Sequence, residues 1–283
     1  MQLKGRLKFM RHLFAKMADR AIPVKSDEYK KLVVGTFLKV PFFILFSRAF
    51  FYFMKGLYLA IVGKTKEKQT AFLAGSGIWG NATANSTRTN VKLFNEISVP
   101  DNGHFIFINH VNEMDFSFDC KVIQKPFLAN QEIKSTYIAY WWMKAMGSEV
   151  FDKSDKRTIA RSVKNLLKGL KTQSYIVYPE GRNTYSENIN PLKKGMINLS
   201  YKLKIPILLV LKSGMTGFHN KPYGNTIAYK SCGIIRPDGF ATWEEYRDHI
   251  YELMKSEKYL LDSELGILPP SDKTTEKELA SVK

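Results

Sequence analysis

Only two cysteines, Cys120 and Cys232, occur in 283 residues, and no motif surrounds either. That scarcity excludes a disulfide framework and a Cys-x-x-Cys centre, and favours a reducing, cytoplasmic-side location. The five histidines form no metal-ligand spacing, so no metal is expected. Neither a Gly-x4-Gly-Lys phosphate loop nor a dinucleotide fingerprint occurs, and no bound cofactor is implied. The chain does not open on a compact apolar core followed by a small-residue cleavage site, which argues against a secretory signal. The glycosylation sequons at Asn81 and Asn85 are discounted on that ground. Also missing is an uninterrupted apolar run of the roughly 18–20 residues needed to cross a bilayer.

Acidic residues are scarce as well. Asp and Glu number 26 against 43 Lys and Arg, a net charge of +17. Ten of those charges come from residues 1–64, with 13 basic and 3 acidic side chains, and the most apolar stretches lie in the same region. Basic and apolar together predict an anionic membrane surface as partner, and count against nucleic acid. Leu3, Leu7, Met10, Phe14 and Met17 recur at helical spacing among lysines and arginines, so residues 1–18 read as a basic amphipathic helix or as an ordinary surface helix. Within residues 32–63, the runs 42–46, 50–54 and 57–62 are broken by Arg48 and Lys55, with Lys39 ahead of them. Two helices lying in one leaflet fit this pattern better than a spanning helix. From Lys64 to about Val91 the chain is polar and contains Gly75, Gly77 and Gly80, which predicts irregular structure or an edge hairpin.

Beyond that point strand and helix signals alternate. Short apolar runs at 105–108, 149–151, 175–178 and 205–211 alternate with helical patterns at 135–146, 158–170 and 194–202, and an amphipathic helix is expected over 243–261. The fold class that follows is α/β, a mainly parallel sheet flanked by helices, with an N-terminal membrane-associated helical segment. The expected organisation is membrane-associated helices over 1–63, an α/β domain over 64–262 and a polar, disordered tail over 263–283.

The four apolar residues Phe105–Ile108 give way abruptly to Asn109 and His110, and Asp115 follows five residues after the histidine. Open parallel sheets bind ligands beyond the carboxyl ends of their strands. An imidazole there is a competent general base, and a carboxylate on its second nitrogen would fix the tautomer and stabilise the imidazolium. A five-residue spacing does not share one helix face, so the segment must be a turn entering a helix. Alone, such a pair is weak, and a surface histidine near a strand end is the plainer reading.

Three further segments agree with it. Asn109-His110-Val111-Asn112-Glu113-Met114-Asp115 resembles the Asn-His-x4-Asp block of the lysophospholipid acyltransferase family, which includes the 1-acylglycerol-3-phosphate acyltransferases. Gly147–Lys153 resembles its second block, Tyr178-Pro179-Glu180-Gly181-Arg182 its third, and Lys194-Gly195 with Ile205-Pro206-Ile207 its fourth. The four stand in the family's order across about residues 90–215. There are departures. The arginine after Glu-Gly stands one position early at 182, which leaves its equivalence with the family's phosphate-contacting arginine open. Lys153 stands where an arginine is common, a point charge without the bidentate fork. The fourth block lacks its second proline.

The resemblance implies a membrane-associated enzyme that moves an acyl group from acyl-CoA or acyl carrier protein to the hydroxyl of a lysophospholipid, foremost 1-acyl-glycerol-3-phosphate. His110 and Asp115 would be catalytic, and Asn109, Lys153, Glu180, Gly181 and Arg182 would bind substrate. The alternatives are the same chemistry on another acceptor, or a non-catalytic lipid-binding protein on the same scaffold.

Overall fold

The computed structural model describes residues 22–135, 137–151 and 156–267. The basic segment 1–18 lies outside the described residues, as do Lys153 and the tail beyond 267.

Helices α1 (Asp27–Leu38), α2 (Val40–Phe46) and α3 (Ala49–Ile61) lead into α4 (Thr65–Ser86) and strand β1 (Asn90–Leu93). Strand β2 (Phe105–Ile108) is followed by α5 (Asp115–Val122), β3 (Leu128–Asn130), a 3-10 turn (Gln131–Ser135), α6 (Tyr137–Ala145) and β4 (Glu149–Phe151). Then come α7 (Lys156–Leu170), β5 (Tyr175–Val177), α8 (Lys194–Leu203), β6 (Ile207–Ser213), the single turn α9 (Gly217–Asn220), β7 (Thr226–Ile235) and α10 (Trp243–Glu264).

Five strands form the main sheet in the order β1-β7-β6-β2-β5. β2 pairs in parallel with both β5 and β6, with Phe105 opposite Tyr175 and Ile207, and β7 alone reverses the direction by running antiparallel to β6. Because side chains alternate along a strand, the unbroken apolar runs feed two cores at once. Ile106, Ile108, Ile176, Leu208 and Val210 point to one face, under α1, α4, α5 and α6. Phe105, Phe107, Val177, Leu209 and Leu211 point to the other, under α7, α8 and α10. The result is three layers, and all four β2 side chains are fully buried.

Local chemistry fixes the helix ends. Ser26 accepts the Tyr29 amide to cap α1, and Thr242 accepts the Glu245 amide to cap α10, whose first turn carries Glu244 and Glu245 at the positive end of the helix dipole. Gly147, at φ +92°, lies just beyond α6, a left-handed conformation that favours glycine.

The expected α/β architecture is observed, with four differences. β1, β3 and β7 were not foreseen, and β4 pairs with β3 in a separate two-stranded sheet. β6 starts after Pro206, which has no amide to give to a ladder. α10 continues to Glu264, past the helix expected over 243–261. The largest difference is the stretch expected to be irregular, Lys64 to Val91, most of which is the 22-residue α4. Its glycines are contact surfaces, not breaks. A Cβ on Gly80 would lie 2.4 Å from the Ser117 carbonyl, and one on Gly75 would meet the Trp142 ring at 2.8 Å. α4 therefore packs directly on α5 and α6 through small residues, a face that hydrophobic periodicity does not reveal. In the apolar stretch 32–63, α2 and α3 follow the end of α1, and among the described residues no helix is long and apolar enough to cross a membrane.

Candidate active site

β2 ends at Ile108, beside Val210 of β6. The next residue prolongs that pairing through its side chain. Asn109 Oδ1 accepts the Lys212 amide at 2.8 Å and its Nδ2 donates to the Lys212 carbonyl at 3.0 Å. Asn109 is thus buried and spent on the scaffold, where the sequence pointed to substrate contact.

His110 follows. Its Nδ1 lies 2.7 Å from Asp115 Oδ2, the first residue of α5, which is the turn-into-helix geometry that the spacing required. The same Oδ2 accepts the amides of Val111 at 2.6 Å and Asn112 at 3.2 Å, so the carboxylate shapes the loop that carries the histidine. Asp115 is fully buried, while 19% of the His110 side chain is exposed. Accepting two amides, Oδ2 is the acceptor for Nδ1–H, which leaves Nε2 to act as a base.

Glu180, in the turn after β5, is the second support. One carboxylate oxygen accepts the His110 amide at 2.9 Å and the other accepts the Asn190 amide at 2.7 Å. Burial pushes this carboxyl up to about 7 against those two bonds. Like Asn109, Glu180 is a strut beneath His110 and not a group offered to solvent. Gly181 (φ +71°) allows the turn, since a Cβ there would be strained and would meet the Lys193 side chain at 2.9 Å. Its amide donates to the Tyr178 carbonyl, which removes it from the donors open to a substrate. Arg182 is exposed at the outer side of this turn. Of the predicted residues, the structure brings together Asn109, His110, Asp115 and Glu180, puts Gly181 and Arg182 on the adjoining turn, and leaves Lys153 outside the described residues.

Sequence reasoning missed the other half of the site. Lys212, at the end of β6, is completely buried, with its ammonium 2.8 Å from Asp119 and 3.2 Å from Asp115. Asp119 lies one helical turn after Asp115 and also accepts the hydroxyls of Tyr178 at 2.5 Å and Tyr229 at 2.7 Å. Tyr178 stacks flat on the His110 ring, with centroids 3.9 Å apart. Burial would raise the Asp115 carboxyl, but the Lys212 ammonium and His110 hold it below its ordinary value. For Asp119 burial wins and the carboxyl is raised. The available signals were a lysine closing an apolar strand and two aspartates four residues apart. A second set joins Glu113 to Tyr29 of α1 at 2.6 Å, Tyr185 at 2.5 Å and Asn183 at 2.9 Å, which ties α1 over the loop.

A cleft of about 670 Å³ lies along α1 and α4, with Lys31, Lys39, Phe43 and Trp79 in its wall, and no residue of the 109–115 loop lines it. Among the described residues, no group of three acidic, histidine or cysteine side chains could hold a metal.

Residues 90–211 match the family model described as Acyltransferase. Comparison with curated protein sequences finds no match. Among solved structures, the chain is similar to the 1-acyl-sn-glycerophosphate (LPA) acyltransferase PlsC from Thermotoga maritima, with a TM-score of 0.67 and 17% identity over 85% of this chain and 97% of that one. At that identity the likeness is one of fold, and the four-residue strand, the His–Asp loop and the Glu-Gly turn all fall inside the segment matched by sequence. Residues 90–211, less than half of the chain, thus resemble the acyltransferase domain.

Proposed function

We propose that the protein transfers a fatty acyl group from acyl-CoA or acyl carrier protein to the free hydroxyl of a lysophospholipid, foremost 1-acyl-glycerol-3-phosphate, giving phosphatidic acid. The observation that carries this reading is the His110–Asp115 pair, bonded at 2.7 Å at the carboxyl end of β2 with the imidazole partly open to solvent. His110 Nε2 takes the hydroxyl proton as the acceptor oxygen bonds to the thioester carbonyl carbon. Collapse of the tetrahedral intermediate breaks the carbon–sulfur bond, and the same proton passes to the leaving thiolate. No protein nucleophile takes part. Burial raises the Cys120 thiol and pushes Cys232 up to about 12, so neither offers a thiolate at neutral pH. Arg182, exposed on the Glu180 turn, is the cation we assign to the acceptor's phosphate, with Lys153 as a further anion contact.

The acceptor reaches the site from a membrane, on this reading from its cytoplasmic face. Phe51, Met54, Tyr58 and Ile61 lie along one exposed side of α3, with Leu45 and Phe46 exposed on α2. Exposed Lys39, Arg48 and Lys55 stand among them. Large aromatics with flanking cations suit an anionic headgroup layer, with the helices lying in one leaflet.

The test is acyl transfer by detergent-purified protein, with acyl-CoA and acyl carrier protein donors and a panel of lysophospholipids plus glycerol-3-phosphate. Transfer should fall by about 10³-fold or more in His110→Ala. Full activity in that variant would overturn the mechanism, and activity on a different acceptor would rename the substrate.

A further inference from the structure

Lys212 has no role in the mechanism above, yet it is the lysine buried deepest against the reacting pair. Asn109 pins its backbone from both sides, and its ammonium lies between Asp115 and Asp119, 5.0 Å from the centre of the Tyr178 ring that stacks on His110. The titratable groups around this ammonium are few and come from every neighbouring element. Asp115 and Asp119 come from α5, Tyr178 and Glu180 from the turn after β5, Tyr229 from β7, and His110 stands behind Asp115. Cys120, beside Asp119, stays a neutral thiol because burial raises it.

With a neutral imidazole, Asp115 and Asp119 share the one Lys212 ammonium, with Glu180 close by. The proton that His110 takes from the acceptor hydroxyl adds a second positive charge beside these carboxyl groups. In a low-dielectric site such a balance governs how readily the imidazole binds its proton.

We propose that Lys212 is a positioning residue for the acyl transfer: its ammonium, shared by Asp115 and Asp119, sets the pH above which His110 works as a base. The proposal rests on the general-base reading of His110. Without Lys212 the Asp115 carboxylate has no competing cation, and the imidazole bonded to it keeps its proton to higher pH. Without the Asp119 charge, Lys212 acts on Asp115 alone and the imidazole gives up its proton earlier. The two changes therefore move the same titration in opposite directions, which a packing role for either residue would not do.

The experiment follows the acid limb of the pH–rate profile, and the nitrogen-15 imidazole titration of His110, in the detergent-purified full chain. In Lys212→Met both should move to higher pH by roughly one unit or more. In Asp119→Asn both should move to lower pH by a comparable amount. Lys212→Arg should hold them within about half a unit of wild type whatever the loss in rate. Should Lys212→Met fail to fold by circular dichroism, the Asp119→Asn titration decides: an acid shift supports the proposal and an unchanged midpoint overturns it. Shifts of one sign in both variants also overturn it. The imidazole titration needs no turnover, so it separates this proposal from the general-base reading. An active His110→Ala would sink the latter, while a His110 essential for turnover but insensitive to both variants would sink only the former.

Discussion

The loop from Asn109 to Asp115 and the outer side of α2 and α3 treat solvent in opposite ways. In the loop, polar atoms are bonded to one another in a buried setting. Asp115 Oδ2 serves the histidine ring and two amides, Glu180 spans His110 and Asn190, and Asn109 mimics a strand pairing to Lys212. On α2 and α3, large apolar side chains stand in the open, with Phe46 83% and Ile61 85% exposed. The first region stores its free energy in geometry, so on the proposed mechanism an error of an ångström would be felt in rate. The second stores it in area, so no single residue is decisive and the driving force is realised only against an apolar phase.

Three perturbations sharpen that contrast, from the largest effect down. Glu180→Gln replaces one acceptor with a donor that opposes a backbone amide. It should lower kcat by about 10- to 100-fold with little change in KM, measured at saturating acceptor. A KM effect alone would mean that Glu180 touches substrate after all.

The triple change Phe46→Ser, Phe51→Ser, Ile61→Ser should weaken binding to anionic vesicles by roughly tenfold or more in a flotation assay. Turnover of a dispersed short-chain acceptor should stay close to wild type. Unaltered vesicle binding would remove the membrane role from this face.

Gly80→Ala should cost about 1–3 kcal/mol of stability by forcing α4 away from α5, read as a lower unfolding midpoint. The smallest expected effect is on chemistry, since α5 carries Asp115 and would be displaced only slightly. A stability equal to wild type would mean that the contact between the two helices yields freely.

The difference between the regions also explains what could be read in advance. Phe105–Ile108, Tyr175–Val177 and the run from Ile207 were legible as buried strands because a parallel strand covered on both faces has no alternation to hide. His110 and Asp115 were legible because both belong to one loop, seven residues from Asn109 to Asp115 that the strand end and the helix start define between them. Asn109 and Glu180 were found, but with the wrong partners. Sequence position brought them to the site, whereas only the folded chain shows that their hydrogen-bonding capacity is already spent on Lys212, His110 and Asn190. α4 was misread because its helix is held by close approach through Gly75 and Gly80, and a missing side chain leaves no periodic signal.

The sequence by itself determined the alternation of strands and helices, the apolar character of residues 42–62 and the pairing of His110 with Asp115, since each depends on neighbours within a few positions along the chain. Tertiary structure alone decided the union of Lys212 with Asp115 and Asp119. Lys212 stands 97 and 93 positions after Asp115 and Asp119, and only the parallel pairing of β2 with β6, extended by Asn109, brings that ammonium beneath the histidine.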